Sequence, residues 1–128
     1  MREAIVGKIS LHDIAAGRFH EILQRQLGPK LIEAAKTGNV AQVRKLLKIK
    51  YTAVNAADTG GRTALIWAVI NRKIEVVKEL LKNEKVDVNA AATNGYTALM
   101  VAAENNNIEV VKLIMDKLGW EGIEITIP

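Results

Sequence analysis

The chain has 128 residues, 49% of them hydrophobic and 25% charged, which suits one folded domain with a substantial core and does not suit a disordered chain. No apolar run approaches the roughly 20 residues of a membrane-spanning helix, and the first residues lack a secretory leader's apolar stretch and cleavage site, so an intracellular, cytoplasmic location is expected. The absence of cysteine excludes disulfides, thiolate catalysis and cysteine-ligated zinc.

The formal net charge of +4 is unevenly spread. Residues 30–57 hold Lys30, Lys36, Arg44, Lys45, Lys48 and Lys50 against Glu33 alone, whereas residues 92–128 hold five acidic side chains and two lysines. Such polarity either steers an acidic partner to the basic part or favours head-to-tail contact between chains. The plainer reading is that Lys45, Lys48 and Lys50 keep an outer helix face hydrated. Few aromatics and no dense Arg/Lys stripe argue against nucleic-acid binding.

Residues 1–29 form an N-terminal extension with its own pattern. Ala4-Ile5-Val6 with Ile9 is short, apolar and ambiguous between a helical turn and a strand. Ser10 is an N-cap candidate, with Asp13 placing negative charge in the first turn. Leu11, Ile14, Ala15, Phe19, Ile22, Leu23 and Leu27 then recur at helical spacing, predicting one amphipathic helix that stops at Gly28, with Pro29 opening the next.

From Lys30 the pattern becomes short helices in pairs. Residues 31–37 and 40–47 flank a turn at Gly38-Asn39. Next come two copies of one unit, 34 residues apart: Gly61-Arg62-Thr63-Ala64-Leu65 repeats as Gly95-Tyr96-Thr97-Ala98-Leu99, and Ile74-Glu75-Val76-Val77-Lys78 as Ile108-Glu109-Val110-Val111-Lys112. A fixed period of this length signals stacked units that bury their apolar faces only against neighbours. Asp58-Thr59-Gly60-Gly61 reads as a tight turn, Thr63 and Thr97 as helix caps, and Val54-Asn55 and Val88-Asn89 as unit ends. In the final stretch, residues 119–128, isoleucine alternates with polar residues over Ile123-Glu124-Ile125-Thr126-Ile127, the period of a β-strand with one apolar face.

Residues 30 to about 118 resemble the ankyrin repeat, a β-turn finger followed by two antiparallel helices. The resemblance divides them into a capping half-repeat (30–57), a full repeat (58–91) and a last repeat (92–118). Gly61, Thr63, Leu65, Ala68, Val76, Val77, Leu80, Leu81, Asp87, Val88, Asn89 and Ala90 occupy family positions. It implies an all-α helix-turn-helix solenoid, here with an extra N-terminal helix and a C-terminal strand. Departures are Ala64 and Ala98 for proline, Ile66 and Met100 for histidine, Arg72 and Asn106 for the glycine between helices, and Ala92 for the turn aspartate seen at Asp58. A regular core joined to unrelated ends also fits an engineered chain.

The resemblance further implies a protein-interaction module that binds through the finger tips and the inner face of the first helices. Carried over position by position, that surface comprises Lys36 and Thr37; Thr59, Gly60, Arg62, Trp67, Ile70 and Asn71; and Thr93, Asn94, Tyr96, Val101, Glu104 and Asn105. Trp67, Arg62 and Tyr96 are the residue types that dominate interface energies. Two readings stand for Trp67: a partner contact, or a core residue filling the missing histidine's space against Met100.

A second expectation is a homo-oligomer built through the terminal extensions, with Leu11, Phe19, Ile22, Ile123, Ile125 and Ile127 as contacts. Its alternative is that both extensions cap the ends of the stack. No enzyme is expected. His12, Asp13, His20 and Glu21 are the one cluster of catalytic or ligating types, and two histidines without a third spaced ligand fall short of a zinc site. No cofactor, membrane or small-molecule substrate is therefore expected beside the protein partner.

Overall fold

In the computed structural model the described residues are 10–15 and 17–119, and they form seven helices: α1 (Leu11–Ala15), α2 (Phe19–Thr37), α3 (Val40–Lys48), α4 (Ala64–Ile70), α5 (Ile74–Leu81), α6 (Ala98–Glu104) and α7 (Ile108–Leu118). Helix α2 pairs with α3, α4 with α5 and α6 with α7, each pair forming one layer. Across layers α2 touches α4, α4 touches α6, α3 touches α5 and α5 touches α7. This is the all-α repeat solenoid expected from the 34-residue period, with each layer supported by its neighbours. No helix among the described residues is long and apolar enough to cross a membrane.

The alternating composition explains the packing. Ala35, Ala64, Ala68, Ala98 and Ala102 are fully buried where helices meet, and their small side chains let the backbones approach closely. Between them Leu27, Leu31, Leu46, Leu65, Ile66, Leu80 and Ile114 fill one continuous core. Ile66, at the position where the family pattern has histidine, is 2% exposed and packs in that core, so apolar contact replaces the histidine there. Its counterpart Met100 is 51% exposed, because α6 and α7 form the last described layer.

Helix starts follow local chemistry. The side-chain oxygens of Asn39, Thr63, Thr97 and Asn107 accept from the N–H of Gln42, Ile66, Met100 and Val110, capping α3, α4, α6 and α7. Each helix pair turns on one left-handed residue: Gly38, Arg72 (φ 57) or Asn106 (φ 55). An L side chain in that conformation is strained by about 1–2 kcal/mol. Arg72 partly offsets this by donating from Nη2 to the Asn105 carbonyl of the next layer at 2.7 Å.

The N-terminal reading is corrected twice. The single helix expected over residues 10–27 is two: α1 ends at Ala15, and Gly17 (φ +77) turns the chain before α2 begins. Nor does the helix stop at Gly28. Helix α2 continues through Gly28 and Pro29 to Thr37, where left-handed Gly38 caps it. The reason is tertiary. A Cβ on Gly28 would lie 2.6 Å from the Ala56 Cβ, so this glycine serves close approach of α2 to the chain after α3. Pro29 removes one helical N–H, and burial of Leu27, Gly28, Leu31 and Ile32 on both sides of it holds the helix together.

Candidate partner-binding surface

The inner helices α2, α4 and α6 stand side by side, and the two fingers project from the segments that precede α4 and α6. Each finger closes through an antiparallel bridge, Ala57 with Thr63 and Ala91 with Thr97. The fingers are also joined: the backbone N–H and the hydroxyl of Thr93 both donate to the Gly60 carbonyl, at 2.9 and 3.1 Å.

Asp58 organises the first finger. One carboxylate oxygen accepts from the Gly60 and Arg62 N–H groups, each at 2.9 Å, and the other accepts from the Trp67 indole N–H at 2.8 Å. Burial by itself pushes this carboxyl up. The bonds from Arg62, Trp67 and Gly60, with the Arg62 charge, outweigh it and hold the group below its ordinary value. Trp67 is half-buried, packs on the core edge, and has the Lys36 ammonium 4.4 Å and the Arg62 guanidinium 5.2 Å from its ring. Cations at such distances are attracted by the ring's electron-rich face.

The predicted surface residues fall into two groups. Lys36, Arg62, Trp67 and Asn71 are gathered at α2 and α4, where the Asn71 amide donates to the Lys36 carbonyl at 3.0 Å. Tyr96 and Glu104 meet at α6: the phenol donates to the Glu104 carboxylate at 2.6 Å, and that bond raises the phenol's pKa. Asn94 accepts from the Tyr96 N–H and shapes the second finger. Thr59 is exposed at the first tip, Asn105 is exposed beyond α6, and Ile70 and Val101 are half-buried against the core. Thr37 bonds back to its own helix at Glu33 and Ala34.

Sequence reasoning missed a depression of about 540 Å³ beside this cluster, between α2 and the first finger, with Pro29, Ile32, Glu33, Ala57 and Asp58 among its walls. It also missed the role of Asp58, although a turn aspartate followed by two glycines is the signal for a carboxylate that collects backbone N–H groups.

Of the residues expected to support assembly, Leu11 is 84% exposed, whereas Phe19 packs against the core and Ile22 is half-buried. Ile123, Ile125 and Ile127, the expected strand and Ala4–Ile9 lie outside the described residues. His20 stacks on Tyr51 with ring centres 3.8 Å apart, and no group of three potential metal ligands occurs among the described residues.

Layered helix pairs and bridged fingers repeated in register define a helical repeat protein. The family model for ankyrin repeats in three copies matches residues 31–128, and the chain belongs to the ankyrin-repeat family. Comparison with curated protein sequences returned no match. Ankyrin repeats form a non-enzymatic protein–protein interaction fold.

Proposed function

We propose that this chain binds a partner protein across the fingers and the inner faces of α2, α4 and α6, with Trp67 as the anchor. The observation that carries this reading is the fixed setting of Trp67: its N–H is tied to Asp58, two cations lie over its ring, and its neighbours Lys36 and Asp58 line an open depression. A half-buried tryptophan held in one pose loses little further freedom on binding and still offers a large area. Tyr96 with Glu104 forms a second contact point one layer on. We propose the cytoplasm as the place of the interaction.

Peptide display against the full chain tests the reading. Selected ligands are expected to lose about 2 kcal/mol, roughly thirtyfold in affinity, on Trp67→Ala, while the variant keeps its circular dichroism spectrum. Ligands indifferent to Trp67, Arg62 and Tyr96 would place recognition elsewhere.

A second reading, self-assembly, is favoured by apolar side chains open to solvent at both ends of the stack: Leu11 at 84%, Met100 at 51% and Ile108 at 54%. Sedimentation of the full chain decides it, since a strict monomer at high micromolar concentration removes this reading.

A further inference from the structure

The outer helices α3 and α5 end in lysines. Lys45 and Lys48 occupy the last turn of α3, Lys78 that of α5, and Lys50, Lys82 and Lys85 follow the two helix ends. Part of this bias offsets the partial negative charge at a helix C-terminus. The surroundings go further than that role requires.

Two adjoining depressions of about 410 and 260 Å³ lie between the α3 and α5 ends and share Leu47, Lys82 and Asn83. Their rims carry Arg44, Lys48, Lys50, Lys82 and Lys85 against Glu79 and Glu84. Glu79 is already engaged, by Arg44 at 3.2 Å and Lys82 at 3.3 Å. Those contacts, the Arg44 bond foremost, hold its carboxyl below the ordinary value despite partial burial. That leaves Lys48, Lys50 and Lys85 facing Glu84. Among the described residues Lys48 and Lys85 have no ion pair, and the Lys50 ammonium lies 5.6 Å from the Tyr51 ring. Beneath the lysines the larger depression is walled by Leu47, Ile49 and Val54.

We propose that this face is a second docking surface, separate from the inner groove, that takes an acidic segment of a partner protein with an apolar side chain among its carboxylates. The carboxylates sit over Lys48, Lys50 and Lys85, and the apolar side chain enters the hollow lined by Leu47 and Ile49. Nucleic acid fits less well. The one arginine on these rims is committed to Glu79, so no guanidinium fork is free for phosphate, and Tyr51 is already stacked on His20. A lipid surface fits less well too, because the apolar contact lies in a recess and not on a protruding face.

The test is fluorescence anisotropy with a labelled synthetic peptide of repeating Glu-Glu-Leu units, titrated with the full chain. Saturable binding is expected, weakening as salt is raised because the contacts are exposed and screened. Replacing Lys48, Lys50 and Lys85 together by glutamate is expected to weaken it roughly tenfold or more; Trp67→Ala leaves it unchanged, and an all-Glu peptide binds less tightly. All three lysines are exposed, so the reversed variant keeps its fold, and the salt series on the natural chain gives an independent reading. No saturable binding, equal binding by the charge-reversed variant, or preference for duplex DNA or for vesicles of phosphatidylcholine with phosphatidylserine overturns the proposal. So does loss of the peptide signal on Trp67→Ala, which would move the contact to the inner groove.

Discussion

Asp58 and Trp67, nine positions apart, are joined by a 2.8 Å hydrogen bond that ties the first finger to the helix behind it. One unit later both partners change together: Ala92 stands at the position of Asp58 and Val101 at that of Trp67. The second finger is held by other means, through the Thr93 bonds to Gly60 and the Asn94 side chain under Tyr96. The two fingers thus share a backbone path and differ in what fixes it, and the cation-flanked indole belongs to the first alone.

Asp58→Ala should destabilise the chain by about 1–3 kcal/mol at neutral pH, since three N–H groups lose their acceptor. Because the folded carboxyl titrates below its ordinary value, its contribution is complete above the unfolded value of about 3.9 and disappears as pH falls through the lower folded one. Glu79 behaves the same way, so natural chain and variant must be compared side by side. Urea unfolding of both should show the gap narrowing between pH 7 and about pH 2.5.

Gly61 and Gly95 occupy equivalent finger positions with φ of +76° and +86°, yet they should respond differently to alanine. Gly95→Ala meets no atom within 4 Å and should cost only the backbone strain, about 1–2 kcal/mol. Gly61→Ala adds a Cβ 2.8 Å from the Thr93 nitrogen, which forces the fingers apart and breaks their link. It should lower the thermal midpoint more than Gly95→Ala, and equal effects would mean that the fingers are not in contact.

Gly28→Ala sets helix propensity against packing. Alanine is favoured in a helix by about 1 kcal/mol, but the collision with Ala56 should make the net effect destabilising by about 1–2 kcal/mol. Adding Ala56→Gly should relieve the collision, so a double-mutant cycle in urea is expected to show strong favourable coupling.

Ile66→Gln and Met100→Gln are the same change at equivalent positions. The first buries an amide in the core and should cost about 3 kcal/mol or more. The second places it where half the side chain already meets solvent and should stay within about 0.5 kcal/mol. A large effect at Met100 would reveal that something covers this face.

What was legible in the sequence is what neighbours in the chain decide. The caps at Thr63 and Thr97 and the end of α7 before Gly119 follow from local chemistry repeated in register, whereas the left-handed turns at Arg72 and Asn106 follow from the glycine that the family pattern has there. The passage of α2 through Gly28 and Pro29 was not legible, because Ala56, a residue distant in sequence, decides it. Nor was the burial of Ile66 distinguishable from the exposure of Met100, since only the presence of a following layer separates them. At the candidate surface the residue types were legible in Trp67, Arg62 and Tyr96. Their arrangement around Asp58 was not, because a turn aspartate advertises its backbone partners and hides the indole.

Bonds such as Asn71 to the Lys36 carbonyl, Arg72 to the Asn105 carbonyl and Asn55 to the Lys85 carbonyl stitch each tier to the next and reach no further. Pulled lengthwise, a molecule joined in this way is expected to part at one boundary between tiers at a time. Among the described elements only the α4–α5 tier is gripped on both flanks, by α2–α3 on one side and α6–α7 on the other. Tension applied through a tethered binding partner would therefore be released in steps.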